Sequence, residues 1–346
     1  MNTPLGVAGP RSAARLIWPV LQAIVLALGT TIVALLLLQP RTGLFLLWDV
    51  LIPMAPLLLA VAPGVWRNVC PLATFSLAPR QLGLSRALRP DAKWQGRLLA
   101  GAVLLLLLIV PLRPVILDHN GVVTGVVLLV VAALAAGLGT MLDWKSAWCS
   151  GLCPVHPVEL LYGSNPLVSV GNSQCRSCTQ CTSPCRDARN GINPLSASRD
   201  PSGRAAGWFL IGLFPGFVWG WYQVPQRAQA LTANYILAAY AWPLLSGAVT
   251  LLLFALVYGL VPAARRKAIP IWAATAISTY YWFKLPVMLG LQGNHPLLEL
   301  NGVLPAWAVW PTRIAPALFF AWLLVLRTGQ PGLWAFRPAR AATARA

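Results

Sequence analysis

Residues 122–142 read VVTGVVLLVVAALAAGLGTML, a run of twenty-one residues without a single charge. At about 1.5 Å of rise per residue it is long enough, as a helix, to cross a hydrocarbon core of roughly 30 Å. Comparable runs recur at 14–38, 43–63, 98–117, 208–224, 236–261, 271–290 and 304–326, which predicts eight spans in all. The composition agrees, since 58% of the 346 residues are hydrophobic and 10% charged, whereas a soluble domain carries about 25% charged residues. The predicted fold class is therefore all-α, a polytopic transmembrane helical protein, and a soluble globular domain is excluded. Arg11 and Arg15 precede the first run and no small-residue cleavage site follows it, so it reads as an anchoring helix and not as a removed signal peptide.

The 26 Lys and Arg against 8 Asp and Glu give a net charge of +18, nearly all of it between the apolar runs. With eight spans both termini share a side. That side, with the loops 64–97, 143–207 and 262–270, holds 21 of the basic residues, against Arg41 and Arg227 on the other. This bias sets orientation, and it predicts cytoplasmic termini and long loops in a bacterial inner membrane. Nucleic acid is excluded as a partner, because the basic residues are split among five short segments and nothing resembles a compact nucleic-acid module. Basic loops of this kind suit anionic lipid headgroups and an acidic redox partner.

All seven cysteines, Cys70, Cys149, Cys153, Cys175, Cys178, Cys181 and Cys185, fall in the two long loops. In a cytoplasmic setting thiols stay reduced, so a disulfide framework is not expected. The run Cys175-Arg-Ser-Cys178-Thr-Gln-Cys181-Thr-Ser-Pro-Cys185 has the spacing C-x2-C-x2-C-x3-C. Tight turns at that spacing let three thiolates converge on one iron–sulfur cubane, while in two-cluster ferredoxins the fourth cysteine reaches the other cluster. Tetrahedral zinc is the alternative for C-x2-C pairs, and four cysteines in this pattern favour iron–sulfur.

The remaining cysteines share a second pattern. Trp66-Arg-Asn-Val-Cys70-Pro71 follows the second run and Cys149-Ser-Gly-Leu-Cys153-Pro154 follows the fourth. The first four spans thus read as two copies of a helical hairpin ending in C-x3-C-P, with Trp66 at the leading position of the first copy. The plain alternative is that Cys-Pro simply ends a helix, because the residue before proline is disfavoured in helical conformation. Haem is excluded on both counts: Thr179 and Thr182 stand where a c-type attachment needs histidine, and His119, His156 and His295, the three histidines, fall in loops or at helix ends.

On these residues the chain resembles the membrane-bound polyferredoxins of the NapH/NosR type, which supply electrons to periplasmic nitrate and nitrous-oxide reductases or support their maturation. The resemblance covers about residues 40–200. It implies a ferredoxin-like iron–sulfur loop facing the cytoplasm, with Cys175, Cys178, Cys181 and Cys185 as cluster ligands. Cys70, Cys149 and Cys153 form the second set. The family typically carries two full ferredoxin runs and two complete C-x3-C-P motifs. Here there is one run, Arg186 replaces the usual proline after its last cysteine, and Trp66 replaces one cysteine. Two ordinary 4Fe–4S clusters take eight thiolates and seven exist. A second cluster is then absent, is of the 3Fe–4S kind, or takes a non-cysteine ligand, for which His156 is the first candidate.

Beyond residue 207 the spans have no cysteine and are rich in aromatics, including Trp208, Trp219, Trp221, Tyr222, Tyr280, Tyr281 and Phe283. Interfacial belts account for many of these, and an aromatic, lipid-accessible cleft also suits a quinone ring. Lys284 in the membrane costs roughly 2.5–3.5 kcal/mol unless it lies near an end or has a partner, which makes it a functional candidate. Asp118, His119, His295 and Glu299 fall on the opposite side from the cysteines, where proton release is one role and loop solvation the plainer one.

The sequence therefore divides into an N-terminal transmembrane part (1–142), a cytoplasmic iron–sulfur loop (143–207) and a C-terminal transmembrane part (208–346). The expected function is electron transfer through one or two 4Fe–4S clusters, between the quinone pool or a cytoplasmic donor and a partner redox complex. This describes an electron-transfer subunit more than a stand-alone enzyme. Two other classes use the same cysteines: a redox or iron sensor or maturation factor, and a transporter with a structural metal site. Pro215, Pro243 and Pro286 are compatible with the broken helices of transporters, but Asp49 is the one acidic residue inside a predicted span.

Overall fold

A computed structural model describes residues 12–173, 191–225, 231–293, 296–327 and 333–336, with side chains from residue 17 to 327. The described chain is helical, apart from one short parallel strand pair. The N-terminal helices are α1 (Ser12–Leu38), α2 (Pro40–Phe45), α3 (Ile52–Val61), α4 (Pro63–Val69), α5 (Pro71–Gln81), α6 (Ala92–Leu112), α7 (Gly121–Met141) and α8 (Val155–Tyr162). The C-terminal helices are α9 (Pro201–Tyr222), α10 (Ala233–Leu260), α11 (Arg265–Met288) and α12 (Val309–Phe320). Four π-helical segments, Leu46–Leu51, Arg113–Leu117, Lys145–Leu152 and Ala321–Leu326, extend or join them. The strands β1 (Val168–Val170) and β2 (Leu333–Phe336) pair in parallel with Val168 opposite Leu333.

Six described helices are long and apolar enough to cross a membrane: Ile17–Leu38, Pro40–Val61, Ala92–Leu117, Gly121–Met141, Ala233–Leu260 and Ala306–Leu326. Their outward faces carry leucine and isoleucine, as lipid contact requires. Leu28 on α1 and Leu237, Leu245 and Leu252 on α10 are each more than half exposed. The helices start where the sequence supplies caps: Asp91, Asn120 and Thr232 accept hydrogen bonds from the amides of Trp94, Val123 and Tyr235 at the mouths of α6, α7 and α10.

The runs predicted at 208–224 and 271–290 form α9 and α11, which are not among the six. α9 interleaves glycine with aromatic residues, and α11 carries hydroxyl and lysine side chains. Both sit in the interior. Leu210, Ile211, Phe214 and Phe217 of α9 and Ala273, Ala276, Ile277 and Tyr281 of α11 belong to one buried cluster with Leu59, Phe254 and Phe320. Gly212, Gly216 and Gly220 recur every fourth residue along α9 on the face that meets α10. A methyl group at Gly216 would collide with the Ser246 carbonyl, so the close approach of these two helices requires small residues there.

Several connecting segments meet at one end of the bundle. The Gln22 side chain of α1 donates to the Asn68 carbonyl (2.7 Å), and the Arg86 amide donates to the Thr140 carbonyl (2.8 Å). The β1–β2 pair ties residues 168–170 to residues 333–336. At the other end the Trp48 indole donates to the Leu117 carbonyl (3.2 Å) and the Arg313 guanidinium to Gln292 (2.9 Å). Among the described residues, the two regions predicted as long loops hold helices: α4, α5, the Lys145–Leu152 segment and α8.

Candidate functional site

Each Cys-Pro step breaks one helix and starts the next. Cys70 ends α4 and caps α5 with φ −59° and ψ 122°, and Cys153 ends the Lys145–Leu152 segment ahead of α8 with φ −63° and ψ 118°. Proline imposes this extended backbone on the residue before it and is pre-organised for the first helical turn after it. The consequence is the same at both positions. The Cys70 thiol takes hydrogen bonds from the amides of Leu72 and Ala73, and the Cys153 thiol from those of Val155 and His156. Two copies of one element thus aim a sulfur into the amides at the start of a helix, where negative charge is stabilised.

Cys70, Cys149 and Cys153 are free, half-buried thiols within electrostatic reach of one another. Burial pushes the Cys153 thiol up to about 12, with Cys70 adding to the effect and the two amides opposing it. Burial also raises the thiols of Cys70 and Cys149. For Cys149 the neighbouring cysteines add to the rise and the cations Arg67 and Lys145 oppose it. Without a ligand this trio holds its protons. A cationic iron centre would displace them, because metal binding selects the thiolate.

Polar side chains that sequence reasoning missed surround the trio. Arg67 and Glu159 form an ion pair, buried on both sides. The Glu159 carboxylate also lies 3.5 Å from Nδ1 of His156, itself buried. A carboxylate beside the Nδ1 nitrogen of a histidine is the arrangement found in carboxylate–histidine–metal triads. Glu159 had one available signal, an acid three residues past His156 in a chain with eight acidic residues.

Asn68, buried between Trp66 and Cys70, is the other missed residue. Its amide group donates to the carbonyls of Gly64 (2.8 Å) and Gly171 (3.1 Å), and its Oδ1 accepts from the Ser173 amide (2.7 Å). At Gly64 a methyl group would run into the Val170 carbonyl, so β1 lies directly on α4. This side chain therefore fixes residues 171–173 to the turn that carries Cys70. On the far flank Ile192 is buried against Leu99 and against Leu160 of α8.

Cys175, Cys178, Cys181 and Cys185 lie outside the described residues, as does His295. Among the described residues, no three His, Cys, Asp or Glu side chains converge tightly enough to hold a single metal ion. A cubane spreads its thiolates wider than one ion does, so the trio's donor chemistry and its neighbouring cations still fit a cluster. Trp66 packs at the edge of the buried core and supplies no ligand.

Lys284 has the partner that its depth requires. Its Nζ lies 2.7 Å from Oδ1 of Asp49, the one acid inside a predicted span. One turn away, the Tyr281 hydroxyl donates to the Pro53 carbonyl (2.7 Å) and accepts from the Leu57 amide (3.0 Å). It bridges the rung of α3 opened beside Pro56. Along α11, a groove of about 660 Å³ is lined by Trp219, Thr275, Ser278, Trp282 and Phe283.

No protein-family model matches this chain, and no curated protein or solved structure shows significant similarity to it.

Proposed function

We propose that this chain is a membrane electron-transfer protein carrying one or two 4Fe–4S clusters on the cytoplasmic side of the bacterial inner membrane, similar to the NapH/NosR-type polyferredoxins. Cys175, Cys178, Cys181 and Cys185 hold the first cluster. Cys70, Cys149 and Cys153, with His156 as the non-cysteine ligand, hold the second. The observation that carries the reading is the duplicated Cys-Pro element, two thiols in matching amide cradles within electrostatic reach of a third, beside cations that offset thiolate charge.

When bound, the clusters supply one-electron transfer. The chain's own groups set the conditions for it. Arg67 and Lys145 balance negative charge, Glu159 orients His156, and the Asn68 contacts fix the entry to the four-cysteine run. A quinone exchanging electrons with the protein would find the aromatic groove along α11. The partner redox complex would meet the basic cytoplasmic loops.

The test is reductive titration of the anaerobically purified protein. A paramagnetic signal should appear with dithionite and decay when a water-soluble quinone is added. A signal that develops but never discharges to an acceptor would favour a sensing role.

In this proposal α9 and α11 are the fifth and seventh of eight spans, with both termini cytoplasmic. Reporter fusions after residue 205 and at the C-terminus should read cytoplasmic, and one near residue 295 periplasmic. A periplasmic signal after residue 205 would invert the orientation.

A further inference from the structure

At the end of the bundle that carries the thiols, residues 82–91 join α5 to α6 and lie across the end of α7. The Arg86 amide donates to the Thr140 carbonyl (2.8 Å), the Leu88 amide to the Met141 carbonyl (3.1 Å) and the Ser85 hydroxyl to the Gly139 carbonyl (2.6 Å). The Asp143 amide returns a bond to the Leu88 carbonyl (2.9 Å). Between these anchors Ala87 has φ 47°, a left-handed conformation that costs a non-glycine residue energy and persists where the flanking structure holds it. The segment is thus a fixed strap. Just beyond it, the Gln95 side chain of α6 reaches the Ser150 carbonyl (3.4 Å), between Cys149 and Cys153.

Two lipid-facing stripes end at this strap. On α7, Val130, Leu134 and Met141 are exposed at steps of four and seven residues, which is one face of the helix. On α6, Leu104 and Leu108 are exposed, and Trp94 and Arg97 continue the same face toward the strap. Arg97 stands about 10 Å along the helix from Leu104. The strap therefore lies at the depth where the headgroups of a bilayer meet its hydrocarbon.

Its side chains suit that depth. Leu82, Leu84, Leu88 and Trp94 are each more than half exposed. Interleaved with them, Arg86, Arg89, Lys93 and Arg97 are exposed too, and the Arg97 guanidinium lies over the Trp94 ring (5.2 Å). Asp91 is the one acid within residues 82–97, and its carboxylate accepts from the Trp94 amide at the mouth of α6 (2.7 Å). From the start of α9, Asp200 lies within electrostatic reach of Lys93. Exposed apolar groups set among cations combine the two attractions that hold interfacial segments to anionic lipid.

We infer that residues 82–97 form a binding surface for acidic phospholipid. Arg86, Arg89, Lys93 and Arg97 meet the phosphate groups, while Leu82, Leu84 and Trp94 enter the upper part of the acyl layer. A protein partner would meet the same cations from the aqueous side, but it would not explain why they sit at the ends of two lipid-facing stripes. The inference is independent of the iron–sulfur reading and of which leaflet the strap faces.

The experiment is native mass spectrometry of the full chain in detergent micelles, titrated with dioleoyl phosphatidylglycerol or with dioleoyl phosphatidylcholine. The acyl chains are the same, so the headgroup alone differs. The first phosphatidylglycerol should bind at least about tenfold more tightly than phosphatidylcholine, since each Lys or Arg near an acidic surface is worth a factor of about five. Arg86→Gln with Lys93→Gln and Arg97→Gln should abolish that preference. Arg266→Gln with Lys267→Gln, which removes an exposed pair of cations on α11, should leave it intact. Should the triple variant fail to fold, Arg86→Gln and Arg97→Gln made singly must each reduce the preference. Equal affinity for the two lipids in the wild type would leave the strap to a protein partner and overturn the inference. So would a preference that survives in the strap variants, or one lost in the α11 variant.

Discussion

Changing Cys70, Cys149 and Cys153 together to Ser is expected to remove about half of the iron from the anaerobically purified protein, as two clusters of equal size require. The paramagnetic signal of the reduced protein should simplify at the same time. The reason is geometric: these thiols are mutual electrostatic neighbours, two of them in matching helix-start cradles, and they share their surroundings with Arg67, Lys145 and His156. His156→Ala should weaken the same half selectively, because Glu159 already fixes its ring. Full retention of iron in the triple variant would reduce the protein to one cluster on the four-cysteine run.

The largest expected effect on stability lies at the Arg67–Glu159 pair. Arg67→Met would leave the Glu159 carboxylate buried beside Cys70 and Cys153, and breaking a buried pair from one side costs about 3–5 kcal/mol. The double change Arg67→Met with Glu159→Gln removes both charges and should recover most of that loss. Chemical unfolding in detergent micelles measures both variants. Equal stability of the single and double variants would mean that the pair contributes through packing and not through charge compensation.

Much of the architecture is legible locally, because a lipid-facing helix must be apolar along its whole length. Each of the six apolar helices overlaps a predicted run, and the cost of a bare lysine in the membrane pointed to a partner for Lys284, found at Asp49. The Cys-Pro steps break helices, the plain alternative that the sequence also allowed, since proline dictates the backbone before it. The interior status of α9 and α11 was not legible, because a run of glycine and aromatic residues has the length of a span whether it faces lipid or protein. Residues 63–81 and 145–162 carry too few apolar positions to announce helices, and these form by packing against α7 and α11. Asn68 acts through bonds to Gly171 and Ser173, more than a hundred residues away. No local pattern encodes such a contact. The pairing of β1 with β2 is equally remote in sequence, which is why an all-α reading missed it.

The most direct test of the central claim is the metal and sulfide content of the full chain, purified without oxygen and measured together with its visible spectrum. The account predicts at least about four iron atoms per chain with matching acid-labile sulfide, and a broad charge-transfer absorption that bleaches on reduction. Stoichiometric zinc, with no sulfide and no visible absorption, would contradict it.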